Sequence, residues 1–270
     1  METLYIIKAG AEMLDHQENR KSILADFSKI PGLKIFVHGG GKVATEIGKI
    51  MGIESVYEGG RRITGKKDLD LVVQVYAGLI NKNIVADLQF LSCNAFGFSG
   101  ADGGLIPSQR RSPGAGPENF AGDILPEMIP VSSWKKFLES EWVPVVAPIT
   151  FDPEFGLLNS NADGVASALA LALSRLYRVK LIYLFDKPGV LDVSKETETV
   201  FPVLETDELS FLKEKGIISG GMLPKLHYAF QALEGGVGEV CLGGAENFQE
   251  MLRSAGGTRL VLKKEVGYES

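Results

Sequence analysis

The sequence predicts an α/β fold with a mainly parallel central sheet and helices on both of its faces. Two observations carry that expectation. Short runs rich in β-branched and aliphatic residues, Leu4–Ile7, Lys34–Val37, Val143–Ala147 and Lys180–Phe185, each run into Gly, His, Pro or Asp, as strands buried on both faces do. Helix-period apolar residues recur in Glu18–Ser28, Lys42–Met51, Asp68–Leu88, Asp163–Tyr177, Asp207–Lys215 and Leu223–Glu234. Strands alternating with helices imply right-handed crossovers and parallel pairing, and the carboxyl ends of such strands form a ligand crevice.

The first strand ends in Lys8-Ala9-Gly10-Ala11. A lysine there is either a solvated strand end or a cation at the mouth of the crevice. The second strand runs into His38-Gly39-Gly40-Gly41-Lys42 and then a helix. Three glycines let backbone approach a ligand with no Cβ in the way. The helix N-terminus beyond them offers unpaired N–H groups, so phosphate or carboxylate is the natural guest. The alternative is a tight turn without a ligand. A Walker loop is excluded, because Gly41-Lys42 is followed by Val43 and Gly65-Lys66 by Lys67, not by Ser or Thr. Gly39-x-Gly41-x-x-Ala44, with Glu58 as a ribose acid, fits the looser dinucleotide fingerprint and keeps a non-catalytic binding module open.

Residues 97–126, rich in Gly and Pro, break the rhythm and read as hairpins or an exposed lid. Asn159-Ser160-Asn161-Ala162-Asp163 then precedes an Ala-rich helix. Asp163 is either its N-cap or part of a polar group that needs a partner once buried. Phe185-Asp186-Lys187-Pro188-Gly189-Val190 closes a strand, and Ser219-Gly220-Gly221-Met222-Leu223-Pro224-Lys225 opens a helix. A lysine in the first turns opposes the helix dipole, which points to an anionic partner. There is no repeat and no linker, so one fold with two lobes is expected, the second beginning near Tyr177.

Composition bounds the function. The chain has 270 residues and a formal charge of −6, from 28 Lys+Arg against 34 Asp+Glu, which speaks against a general nucleic-acid coat. Only Cys93 and Cys241 are present, and His16, His38 and His227 lack metal-ligand spacing, so neither a disulfide scaffold nor a metal centre is expected. The longest apolar stretch, Val165–Leu173, is well short of the roughly 20 residues of a membrane span. With no targeting segment at its start, the chain reads as cytoplasmic, without a membrane partner.

Assembled in order, these motifs resemble the amino acid kinase family, and within it the branch that phosphorylates N-acetylglutamate. The resemblance runs from Lys8 to Thr258-Arg259. It rests on Lys8-x-Gly10, His38-Gly39-Gly40-Gly41, Gly60-x-Arg62-x-Thr64, Asn159-x-Asn161-x-Asp163, Asp186-x-x-Gly189-Val190-Leu191 and Gly221-Met222-x-x-Lys225. It implies a three-layer αβα sandwich, with residues 1–176 as the amino-acid lobe and 177–270 as the ATP lobe. Lys8 and Lys225 would be the catalytic cations at the transferred phosphoryl group, and Asp163 the carboxylate that orients both. Gly40 and Gly41 would offer backbone N–H groups near the reacting centre. Arg62, Asn159 and Asn161 would hold the acylated amino acid. Nucleotide contacts are implied for Gly10, Ala11, Asp186, Lys187, Gly189, Val190, Leu191, Ile217, Ile218, Ser219, Gly221 and Met222, with Mg2+ bound chiefly through ATP.

Ala11 stands where the family usually has a second glycine, and Gly100-Ala101-Asp102-Gly103 matches the family's hairpin over the active site. The implied reaction is ATP-dependent phosphorylation of the γ-carboxylate of N-acetyl-L-glutamate, in arginine biosynthesis, by a homodimer. A γ-carboxylate is already ionised at neutral pH, so this chemistry needs no general base, and no candidate catalytic histidine stands out. Arg61, beside Arg62, keeps N-succinylglutamate and other acceptors open.

Overall fold

The computed structural model describes residues 1–58, 61–111, 119–193, 198–218 and 220–263, apart from the side chains of Glu58 and Arg61. Gly60, Ser219 and the Arg61 side chain therefore lie outside the described residues.

Eight strands build the central sheet: β1 (Thr3–Ala9), β2 (Leu33–His38), β3 (Ala95–Phe98), β4 (Val143–Val146), β5 (Arg178–Leu184), β6 (Val203–Glu205), β7 (Glu239–Gly243) and β8 (Thr258–Val261). Their spatial order is β6-β8-β7-β5-β1-β2-β4-β3. All neighbours pair in parallel except β7 with β8. Around this sheet lie α1 (Gln17–Ser28), α2 (Gly41–Ile50), α3 (Asn81–Phe90), α4 (Ala162–Leu173) and α5 (Met222–Glu234), with shorter helical segments.

Side-chain alternation along the strands sets the layers. Leu4 and Ile6 of β1 pack with Val165 and Leu169 of α4 and with Leu226 and Ala229 of α5. Ile7 and Ala9 face the other way, toward Ile23, Leu24 and Phe27 of α1 and Ile84 and Leu88 of α3. Helix, sheet and helix form the three layers that the sequence implied. Because both faces are buried, a one-residue slip would exchange two unlike apolar sets, which pins the register. The same parity sends Lys8 to the α4–α5 side and His38, in step with Phe36, to the α3 side.

Two elements differ from expectation, and a third bears on the dinucleotide reading. The helix expected over Asp68–Leu88 runs as α-helix over Lys66–Val72, π-helix over Val73–Ile80, and then α3. In α geometry residues 76 and 81 would sit about 140° apart around the axis. The longer period of the π segment brings them toward one face, beneath the glycine turn that follows β2. Val56–Glu58 pairs with Arg61–Ile63 as a separate hairpin, not as a strand of the central sheet. The dinucleotide reading thereby loses the buried second strand it needs to present a ribose acid. Within residues 97–126, the Gly100–Gly103 stretch is a tight turn, with the Asp102 carboxylate accepting from Ser99 N and Oγ at 2.7 and 2.9 Å. The hairpin there is instead Ser108–Arg110 with Gly122–Ile124.

Candidate active site

Chain order reverses around β1, which has β2 on one side and β5 on the other. Loops leaving adjacent parallel strands in opposite directions open a crevice at such a point. A cleft of about 470 Å³ lies there. Of the residues singled out from the sequence, it is lined by Lys8, Gly10, Ala11, Gly40, Gly41, Arg62, Asn159, Asn161, Asp163, Asp186, Met222 and Lys225.

Its floor is a buried ionic group. Lys8 Nζ lies 2.7 Å from Asp163 Oδ1, and Lys225 Nζ donates to both Asp163 oxygens at 3.1 Å. Lys8 comes from the carboxyl end of β1, Lys225 from the first turn of α5 and Asp163 from the first turn of α4. The cap of α4 is Asn161, whose Oδ1 accepts from Asp163 N at 2.8 Å and Gly164 N at 3.2 Å. Asp163 is therefore not the N-cap, and its carboxylate is left for the lysines. Burial alone would push that carboxyl up. Lys8 and Lys225 outweigh it and hold the group at about 2. Burial draws the Lys8 ammonium down to about 8, with Asp163 opposing that shift and Lys225 adding to it. Two ammonium groups against one carboxylate leave an excess of positive charge in a desolvated floor, which is suited to an anion.

Aromatic rings hold Lys225 in place. Its Nζ lies 5.8 Å from the centre of the Tyr183 ring and 5.7 Å from that of Phe185, within cation–π range. Tyr183 sits beside Lys8 in the β1–β5 register, and its hydroxyl donates to the Asp163 carbonyl at 3.2 Å.

One wall is the glycine turn. A Cβ on Gly40 would overlap the Tyr76 ring and come within 2.8 Å of Ile80 Cδ1, so this close approach requires glycine. Next to it, the buried Arg62 Nη2 reaches Gly41 O at 3.0 Å, Thr45 Oγ1 at 2.7 Å and Tyr57 Oη at 2.8 Å. Two protons cannot serve three acceptors fully. Arg62 Nη1 meets Asp68 at 3.4 Å and Ser55, while Nε is buried without a hydrogen-bond partner among the described residues. Asn159 Nδ2 donates to Thr64 Oγ1 at 2.9 Å.

Other expected residues stand elsewhere. Lys187, Gly189, Val190, Leu191, Ile217, Ile218 and Gly221 are not among the residues that line the cleft. Val190 and Ile218 sit in the apolar core, and Val190 N donates to Thr258 Oγ1 at 2.8 Å. The Gly100–Gly103 turn does not line the cleft either; Arg111, Ala121 and Gly122 of the neighbouring hairpin do. Sequence reasoning missed Thr45, Tyr57, Tyr76, Tyr183 and Phe185. Of these only Phe185 carried a signal, as the residue directly before Asp186.

The sequence pattern of the amino acid kinase family matches residues 3–243. An acetylglutamate kinase of Cytophaga hutchinsonii is 43% identical over 264 residues, 97% of this chain and 99% of that protein. An acetylglutamate kinase of Azobacteroides pseudotrichonymphae is 44% identical over 263 residues, 97% of this chain and 100% of that protein. Among solved structures, smu.665 from Streptococcus mutans UA159 shares the fold with a TM-score of 0.79 at 24% identity, covering 96% of this chain and 98% of that one. A mostly parallel sheet with a cationic cleft at its switch point, a family pattern over most of the length and relatives above 40% identity lead to one conclusion: this chain belongs to the amino acid kinase family.

Proposed function

We propose that the protein transfers the γ-phosphoryl group of ATP to the γ-carboxylate of N-acetyl-L-glutamate, releasing ADP and N-acetylglutamyl 5-phosphate, in the cytoplasm and as a step of arginine biosynthesis. The meeting of Lys8 and Lys225 on the buried Asp163 carries this reading. The relatives named acetylglutamate kinase supply the acceptor.

The ionised carboxylate oxygen attacks phosphorus while the bond to the bridging oxygen of ADP breaks. No proton has to be removed. The obstacle is bringing one anion up to another, so catalysis is positioning plus positive charge. Lys8 and Lys225 face the charge on the transferring group, and the Gly40 and Gly41 N–H groups add donors at the start of α2. Arg62 lines the cleft and supplies the guanidinium charge that faces the α-carboxylate, with Asn159 and Asn161 beside it. Asp163 is already engaged by two ammonium groups, so Mg2+ would be held chiefly by ATP and would supply further charge neutralisation there. Residues 1–176 hold the acyl amino acid, and residues 177–270 hold ATP.

A coupled ADP-release assay tests this across N-acetylglutamate, N-succinylglutamate, glutamate, aspartate and N-acetyl-aminoadipate. The highest kcat/KM is expected on N-acetylglutamate. Faster turnover of any other acceptor, or none of N-acetylglutamate, overturns the assignment.

A further inference from the structure

Under the glycine turn lies a buried polar chain that does not touch the cleft. His38 and Asn81 are both fully buried. His38 Nδ1 is 3.0 Å from the Gly39 carbonyl oxygen, and Nε2 is 3.2 Å from Asn81 Nδ2. Asn81 Nδ2 also donates to Val145 O at 2.9 Å, and its Oδ1 accepts from Lys82 Nζ at 3.1 Å. The role of each group is forced. A carbonyl only accepts, so Nδ1 carries the proton. Burial pulls the imidazole down to about 4, so the ring is neutral at pH 7 and Nε2 is a bare acceptor. The asparagine amide gives one proton to that nitrogen and the other to Val145 O.

The peptide that follows connects this chain to the chemistry. In a trans peptide the C=O and the N–H point in opposite directions. Holding the Gly39 oxygen against His38 turns the Gly40 N–H away from the interior. Gly40 lines the cleft, and its N–H meets no backbone acceptor among the described residues. A peptide flanked by two glycines rotates with little steric resistance, so its orientation needs an external tie. The π segment supplies the other end of that tie, because its wider turn brings Asn81 under the loop along with Tyr76.

We propose that His38 and Asn81 are positioning residues for phosphoryl transfer, holding the Gly39–Gly40 peptide so that the Gly40 N–H faces the phosphoryl group in flight. The proposal rests on the phosphotransfer reading above. An asparagine at 38 places an amide nitrogen where Nδ1 stands and keeps the bond to Gly39. A glutamine reaches instead toward the Nε2 position and loses that bond.

The experiment compares His38→Gln, His38→Asn and Asn81→Leu with the wild type. For His38→Gln, kcat should fall ~10- to 100-fold, the scale of a misaimed oxyanion donor, with both KM values within ~3-fold. His38→Asn should recover most of that loss. The 15N-labelled Gly40 amide should shift on adding inorganic phosphate in the wild type and His38→Asn, and not in His38→Gln. Wild-type kcat in His38→Gln overturns the proposal while leaving the substrate reading intact. So does equal loss in the Asn and Gln variants that tracks their melting temperatures, which is the mark of a merely structural role. If the wild type turned over no acylated glutamate but its phosphate-induced shift still depended on His38, the substrate reading would fall and the positioning role would stand. Should Asn81→Leu fail to fold, the contrast between Asn and Gln at position 38 still decides.

Discussion

Lys8 and Lys225 reach one carboxylate because strand parity and helix phase send them to the same point. Lys8 follows Leu4 and Ile6 onto the α4–α5 face, and Lys225 lies buried among Leu226 and Ala229 where α5 packs on α4. Removing either ammonium by Lys8→Ala or Lys225→Ala should lower kcat by about 10²-fold or more, measured by steady-state ADP release. Since burial holds Lys8 at about 8, the cation is present below that pH and lost above it. The kcat/KM profile should therefore fall on an alkaline limb near pH 8. Lys8→Arg, permanently charged, should abolish that limb even at reduced activity. Asp163 works in the opposite range. Its carboxyl is held at about 2 against an ordinary 3.8, so its contribution to stability is complete above 3.8 and is lost as pH falls through 2. Urea unfolding from pH 5 to pH 2 should show that loss in the wild type, and a flatter profile in Asp163→Asn.

At the scale of elements, the start of α4 separates two roles that a sequence reading tends to merge. Asn161 caps the helix so that Asp163, two residues on, can face the lysines. Asn161→Ala should cost about 1 kcal/mol in urea unfolding, the usual worth of a cap. It should also lower kcat, because the carboxylate rides on the capped turn. The glycine turn was legible as a ligand cradle, since three consecutive glycines between a strand and a helix have local meaning. That Gly40 specifically must lack a side chain was not legible. The reason is the Tyr76 ring, delivered by a π segment whose apolar run reads as ordinary helix. Gly40→Ala should therefore lower both the melting temperature and kcat, and adding Tyr76→Ala should restore the former more than the latter.

At the scale of the molecule, β3 closes one edge of the sheet, where Phe96 stacks on Trp142 at 5.0 Å and both remain substantially exposed, with Phe90 more so. Among the described residues no strand pairs beyond that edge, and an edge beside exposed aromatic rings is a surface that a second copy can cover. Sedimentation should find a homodimer, and Phe90→Glu with Phe96→Glu should give monomers; a monomeric wild type would remove that reading. The alternation of strands and helices, the three glycine-bearing turns and the separate lysines and carboxylate were all readable along the chain, because each depends on residues within a few positions of one another. Strand order was not readable. It sets β5 beside β1, and so brings Tyr183 to Lys8 and the α4 and α5 termini to the end of β1. It also withheld Val190 and Ile218 from the cleft by burying them in the core. Contacts between distant segments follow from how whole layers pack. A pairing such as Lys8 with Asp163 exists only once the sheet has chosen its neighbours.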